Sequence, residues 1–190
     1  MTDCLIKAEA VVAGWTQPAT PPVSFTLAAG EVVGLTGPNG VGKSTLLAAL
    51  AGRARCYAGS LSLRPGLRLA LQTQDIPPVA GLPVNGRDLF RLTGADPQGL
   101  PAWLADRLDQ RVDRLSGGQR HYLALWAILQ APSEVVMLDE PTNNLDRAGI
   151  EHLGWTLRQQ ASAGRAILVV SHDAEFVAAV CDRTIALEPL

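Results

Sequence analysis

Cysteine is scarce in this chain, and the three that occur, Cys4, Cys56 and Cys181, form no CxxC or Cys/His spacing. A disulfide framework, a zinc knuckle or a dithiol redox pair is therefore not indicated, and a reduced, cytosolic protein is expected. Long apolar runs are missing too; none approaches the roughly 18 residues of a membrane-spanning helix. The opening MTDCLIKAEAVVAG lacks the basic-then-apolar order of a secretory leader. With 16 basic against 18 acidic residues the formal net charge is −2, so no concentrated basic surface, and no nucleic-acid partner, is expected. Lysine is nearly absent: 14 basic residues are arginine and only Lys7 and Lys43 are lysine. Coding bias explains the ratio, but a lysine inside a motif then draws attention.

What is present suffices for a core. At 190 residues, 47% apolar and 18% charged, the chain fits one domain and lacks the signature of disorder. From Glu31 it reads EVVGLTGPNGVGKSTLLAALAG, a β-branched strand, a glycine-rich turn and a run of helix formers. Further strands are expected at Val135–Leu138 and Ala166–Val170, with a helix over Arg147–Ala163 between them that stops at Gly164. Alternation of this kind predicts an α/β fold with a mainly parallel sheet flanked by helices. Residues 75–114 are rich in Pro and Gly, carry short helical pieces and offer no strand; they read as an inserted helical subdomain or a long surface connection.

Gly37-Pro38-Asn39-Gly40-Val41-Gly42-Lys43-Ser44 satisfies GxxxxGK[ST] between the expected strand and helix, which is the context that motif needs. Gly37, Asn39, Gly40 and Gly42 can turn successive backbone N–H groups toward phosphate oxygens, and the helix dipole favours the negative charge. Lys43 is placed to bridge the β- and γ-phosphates, Ser44 to offer a hydroxyl to Mg2+, and Thr45 to reach the α-phosphate. A glycine turn capping an ordinary helix explains the glycines but not the rare lysine. The acidic partner that such a loop requires follows the strand VVML: Asp139 is the magnesium-side ligand and Glu140 the general base or water-orienting carboxylate.

Leu115-Ser116-Gly117-Gly118-Gln119 precedes this acidic pair, its last residue standing 20 positions before Asp139, and it leads into a helix expected over Gly118–Gln130. With these motifs in this order the chain resembles the nucleotide-binding subunits of ABC (ATP-binding cassette) transporters over nearly its whole length. The resemblance implies a P-loop NTPase core with an N-terminal antiparallel β portion and an inserted short helical subdomain. It divides the single ABC ATPase domain into 1–74 and 115–190 as RecA-like core and 75–114 plus the signature helix as helical subdomain. It also implies ATP and Mg2+ as cofactors, and a dimer in which Ser116, Gly117, Gly118 and Gln119 meet the γ-phosphate held by the opposite cassette.

Other positions carry over from the family one by one. Trp15 resembles the aromatic that stacks on adenine, a core tryptophan being the other reading. Gln74 resembles the glutamine that contacts Mg2+ and the attacking water; it is chosen over Gln72 because LALQTQ then aligns with the family pattern. Asp146 resembles a residue that communicates across the dimer and is equally suited to capping the helix at Arg147. His172, in VVSHD, corresponds to the histidine that contacts the γ-phosphate and holds Glu140 and the water. His121 and His152 carry no such context and read as helix-surface residues. The family's Ala-Arg-Ala stretch is replaced here by LALWAILQAP, with Trp126 and Ala127, which implies altered packing or altered contact with a partner, and no direct effect on chemistry.

The implied function is an ATPase subunit, peripheral on the cytoplasmic face of the membrane, that drives a separate permease. The dimer is homomeric or a pseudo-dimer of cassettes, and an extracytoplasmic substrate-binding protein is a further expected partner. GLPVNGRDLFRL resembles the matching stretch of zinc and manganese importer cassettes and leans the expectation toward import. The alternatives are a soluble non-transport cassette of the ribosome-associated type and a nucleotide-dependent regulatory switch. Glu140, Gln74 and His172 together speak against a pure switch, which needs no water-activating group.

Overall fold

A computed structural model of the chain describes residues 3–73 and 84–189. The chain runs β1 (Cys4–Gly14), β2 (Val23–Ala28), β3 (Val32–Thr36), α1 (Lys43–Leu50), β4 (Arg55–Leu63), β5 (Leu69–Gln72), α2 (Gly86–Thr93) and α3 (Ala102–Ala105). It continues through a 3-10 turn at Val112–Arg114 to α4 (Gly117–Gln130), β6 (Val135–Asp139), α5 (Arg147–Ser162), β7 (Ala166–Val170), α6 (Ala174–Val180) and β8 (Arg183–Ala186). The strands expected at Val135–Leu138 and Ala166–Val170 form within a residue of those bounds, and the one expected from Glu31 starts at Val32.

Two sheets result. β2, β1 and β4 make an antiparallel sheet, and β5-β6-β7-β3-β8, in that order, make a wholly parallel one. The three middle strands are continuous apolar runs because helices or the second sheet cover both faces. The two-residue period divides them cleanly. Val33, Leu35, Val135, Met137, Ala166, Leu168 and Val170 face Leu46, Leu47 and Leu50 of α1 and the inner side of the antiparallel sheet. Val32, Val136, Leu138, Ile167 and Val169 face α4, α5 and α6 through Leu125, Leu129, Leu153, Leu157 and Phe176.

A third cluster lies in the helical insertion, where Phe90, Leu104, Leu108, Val112 and Leu115 pack on Tyr122, Leu123 and Trp126 of α4. The signature helix is thus shared: its Leu125 and Leu129 belong to the sheet and its other face to the insertion. Its carboxyl end is held by Arg165, which donates to the carbonyls of Leu129 and Ala131 and to Ser133 Oγ. A half-buried guanidinium there answers the unpaired carbonyls of the last turn.

Register brings the strand ends into one row. Asp139 pairs with Val170, and Val170 with Leu35, so the residues that follow these three strands emerge side by side at the carboxyl edge of the sheet. That edge is where open parallel sheets bind their ligands.

Candidate active site

The turn after β3 depends on glycine at two places. Gly37 has φ 145° and a Cβ there would stand 2.5 Å from the Leu187 carbonyl oxygen. Gly42 has φ 101° and a Cβ would meet Thr20 Cγ2 at 2.7 Å and Ala19 O at 2.8 Å. Only glycine combines these backbone angles with such close approach. Gly42 is also the N-terminal cap of α1, and no side chain caps that helix, which leaves its first N–H groups directed into the loop. Lys43 is buried, and its ammonium donates to the carbonyls of Gly37 (2.8 Å) and Pro38 (2.9 Å), so the cation is kept within the loop.

Across the carboxyl edge, Asp139 ends β6 in a buried position, and burial pushes its carboxyl above the usual carboxylate range. The Ser44 hydroxyl and the Lys43 charge oppose that shift. Glu140 follows with φ 52°, a left-handed conformation that costs a non-glycine residue about 1–3 kcal/mol. Its backbone N–H donates to Val170 O (2.9 Å) and its Oε2 accepts from the His172 N–H (3.2 Å). His172 Nε2 lies 3.1 Å from Oε1, within ion-pair reach but not aligned as a hydrogen bond, so among the described residues Oε1 is buried without a hydrogen-bond partner. An oriented carboxylate with an unpartnered oxygen is equipped to polarise a water.

These groups share one cavity of about 500 Å³, walled by Asn39, Gly40, Gly42, Lys43, Ser44, Thr45, Asp139, Glu140, Asn143, Val170 and His172. A second cavity, of about 510 Å³, adjoins it through Asn39 and Gly40 and has an apolar wall of Val12, Pro18, Ala19, Pro21, Pro22 and Val41. The juxtaposition suits a phosphate chain in the first and an apolar, flat group in the second. Trp15 is 56% exposed, which removes it from the core, but it stands in the turn leading to this wall and not in the wall itself. The proline wall escaped the sequence reading; the PATPP run at 18–22 was its signal.

The other expected residues lie elsewhere. Ser116 and Gln119 form a reciprocal capping box on α4, with Ser116 Oγ accepting from Gln119 N (3.2 Å) and Gln119 Oε1 from Ser116 N (3.0 Å). Gly117 faces open space, and Gly118 abuts the Asn144 carbonyl; none of the four lines the phosphate cavity. Asp146 is exposed and caps α5 by accepting from Gly149 N (2.8 Å), the local role to which its position suits it. Gln74 lies outside the described residues. Gln72 ends β5 as a buried residue whose Nε2 donates to Thr73 O (2.9 Å) and whose Oε1 has no partner among the described residues.

The two remaining histidines correct the surface reading. His121 is only 5% exposed and contacts the Pro141 carbonyl, and His152 stacks between Trp126 and Trp155 while hydrogen-bonding Tyr122. The altered packing expected at Trp126 is this aromatic seam.

A glycine loop with an internal lysine, set on a parallel sheet beside two buried carboxylates, defines a phosphate-loop nucleotide hydrolase. The family model described as ABC transporter matches residues 21–78. The zinc import ATP-binding protein ZnuC of Marinobacter nauticus is 33% identical over 98% of this chain and 76% of its own length. Its counterpart in Cereibacter sphaeroides is 38% identical over 87% of this chain and 71% of that one. A solved ATP-binding subunit of an ABC transporter matches the fold with a TM-score of 0.82 at 22% identity, over 96% of this chain and 85% of that chain. The chain belongs to the ABC transporter family as an ATP-binding cassette, an ATPase coupled to transport.

Proposed function

We propose that the chain hydrolyses Mg2+-bound ATP at the interface of a head-to-tail cassette dimer, homomeric or pseudo-dimeric, seated on the cytoplasmic face of a membrane through an integral permease. The observation that carries this is the convergence of Lys43, Asp139, Glu140 and His172 on one cavity, with Ser116 and Gly117 exposed outside it. A second cassette can then supply its Ser116–Gln119 segment to the ATP held here. Among the described residues no helix is long and apolar enough to cross a membrane.

In this scheme Gly37, Asn39, Gly40, Gly42, Lys43, Ser44 and Thr45 hold the phosphates and Trp15 stacks on adenine. Glu140 takes the proton of the attacking water, with His172 orienting it. The donor set fits magnesium: the buried Asp139 carboxylate and the Ser44 hydroxyl offer the hard oxygens the ion prefers, with Gln74 as third contact. The ion, when bound, neutralises charge on the phosphate oxygens. Asp146 passes the state of one site to the other. Residues 1–74 and 115–190 act as the RecA-like core, and 75–114 with the signature helix as the part that moves the permease. The zinc importer names of two relatives support import and a metal ion as cargo; a substrate-binding protein outside the membrane is a further partner in this proposal.

The test is to purify the tagged chain from its native cells in mild detergent and identify what accompanies it by mass spectrometry. A polytopic membrane protein in near-stoichiometric yield is expected. Recovery with ribosomes, or alone from the soluble fraction, overturns the transport reading. In parallel, Glu140→Gln should bind ATP and accumulate as a dimer on size exclusion, and hydrolysis at the wild-type rate removes Glu140 as the base.

A further inference from the structure

His121 joins the signature helix to the peptide that carries Glu140. The imidazole is 5% exposed, and its Nε2 lies 3.2 Å from the Pro141 carbonyl oxygen. A carbonyl can only accept, so Nε2 carries the proton and donates. Pro141 immediately follows Glu140, which already holds an unfavourable left-handed backbone. That backbone is fixed on one side by the bond from Glu140 N to Val170 O and on the other by the bond from Asn143 N to Glu140 O. The His121 bond is the attachment that comes from α4, two residues beyond the signature's Gln119. A Cβ at Gly118, on the same turn, would stand 3.1 Å from the Asn144 carbonyl oxygen, and Asn144 also has a positive φ of 62°. α4 therefore holds this strained loop through His121.

We propose that His121 is a positioning residue: its hydrogen bond to Pro141 sets the orientation of the Glu140 carboxylate according to where α4 stands. Among the described residues Glu140 Oε1 has no hydrogen bond and Oε2 is held by the single bond from the His172 N–H (3.2 Å), so a small rotation of the 140–141 peptide moves the carboxylate relative to that one anchor. Displacement of the signature segment on meeting a phosphate reaches the base through one side chain. Nucleotide binding is untouched, because His121 lines neither cavity beside the phosphate loop. This inference rests on Glu140 acting as the base.

The experiment is steady-state ATP hydrolysis by the full chain, with ATP affinity measured separately by calorimetry, for His121→Leu, His121→Gln and Glu140→Gln. His121→Leu should lower kcat about 10-fold with KM for ATP within about twofold, the pattern of a misplaced catalytic group in an intact binding site. His121→Gln presents an amide N–H at similar reach and should restore kcat to within about threefold. If His121→Leu does not fold, His121→Asn, whose amide is one carbon shorter, takes its place with the same loss expected. A wild-type kcat in the Leu or Asn variant while Glu140→Gln is inactive overturns the inference alone. So does a Gln variant as slow as the Leu variant. Wild-type hydrolysis by Glu140→Gln overturns the base assignment and this inference with it.

Discussion

The carboxyl edge of the parallel sheet and the aromatic seam between α3, α4 and α5 are built from opposite materials. At the edge, short polar groups are held by backbone: glycines at φ values no other residue accepts, a lysine folded onto carbonyls, and two buried carboxylates. In the seam, large rings hold each other. Trp103 meets Tyr122 edge-on at 5.4 Å, Tyr122 and Trp126 stack at 6.2 Å, Trp126 and His152 at 5.3 Å, and His152 and Trp155 at 6.1 Å. Unfavourable conformations and buried charge destabilise the edge, whereas the seam adds stability where the signature helix meets α5. Chemistry and cohesion are thus assigned to separate regions that meet along α4.

That division makes its strongest claim at Trp126, which is 3% exposed. Trp126→Ala should destabilise the chain by about 3–5 kcal/mol through lost burial and the cavity left behind, with unchanged ATP affinity where the variant is folded. Denaturant unfolding and calorimetry check the two halves, and a matching loss of affinity would merge the regions. Lys43→Ala should do the reverse. It removes charge-assisted hydrogen bonds to phosphate and should weaken ATP binding about 100-fold or more, with little change in the unfolding midpoint. Undiminished affinity by calorimetry would withdraw Lys43 from the site.

The two regions also differ in how far they could be read from sequence. The edge was legible because its chemistry needs particular residues at fixed spacing: GPNGVGKS cannot easily serve another purpose after a strand, and VVMLDE delivers carboxylates where that strand ends. The parallel core was legible because buried strands are apolar runs separated by helix-forming segments. The seam was not. Its His152, and outside the seam His121, look like surface histidines in a helical pattern, since their partners, Tyr122 and Pro141, are 30 and 20 residues away in sequence. The Trp126 departure signalled altered packing without naming the ring it meets. The apolar cavity beside the phosphate loop was likewise hidden, because a proline run gives no sign of what it faces until the fold brings it against Pro38–Val41.

Trp15 tests the border of the chemical region with a smaller effect. Trp15→Ala should weaken ATP binding by about 1–2 kcal/mol, the value of one base-on-aromatic stack, and leave stability nearly unchanged because the ring is 56% exposed. Retained affinity by calorimetry would leave the base to the Val12 and proline wall. Asp139 tests the cost of buried charge. Its folded-state carboxyl is raised by burial, so below the unfolded value both states are protonated and no penalty exists; as pH rises through the folded value the penalty develops and then persists. Asp139→Asn should therefore melt higher than wild type without nucleotide, by a margin that widens from acid to neutral pH. A variant less stable than wild type at neutral pH would show that the carboxylate binds the fold together.

The smallest effect belongs to the seam and carries the opposite sign. Burial lowers the pKa of His152 below its ordinary 6.5, whereas burial pushes the Tyr122 hydroxyl up to about 12, so at neutral pH Tyr122 keeps its proton and donates it to a neutral His152 Nδ1. The unfolded chain takes up a proton near 6.5 and the folded chain resists until lower pH. The stabilisation is therefore complete above about 6.5 and is lost as the solution is acidified through the folded value. His152→Phe keeps a ring in the stack without a titrating nitrogen. In thermal melts between about pH 8 and about pH 5.5 its stability should fall less than that of wild type, with ATP affinity unchanged at either end. Parallel melting curves for the two proteins would mean that the stacked ring, and not the Tyr122 hydrogen bond, joins α4 to α5.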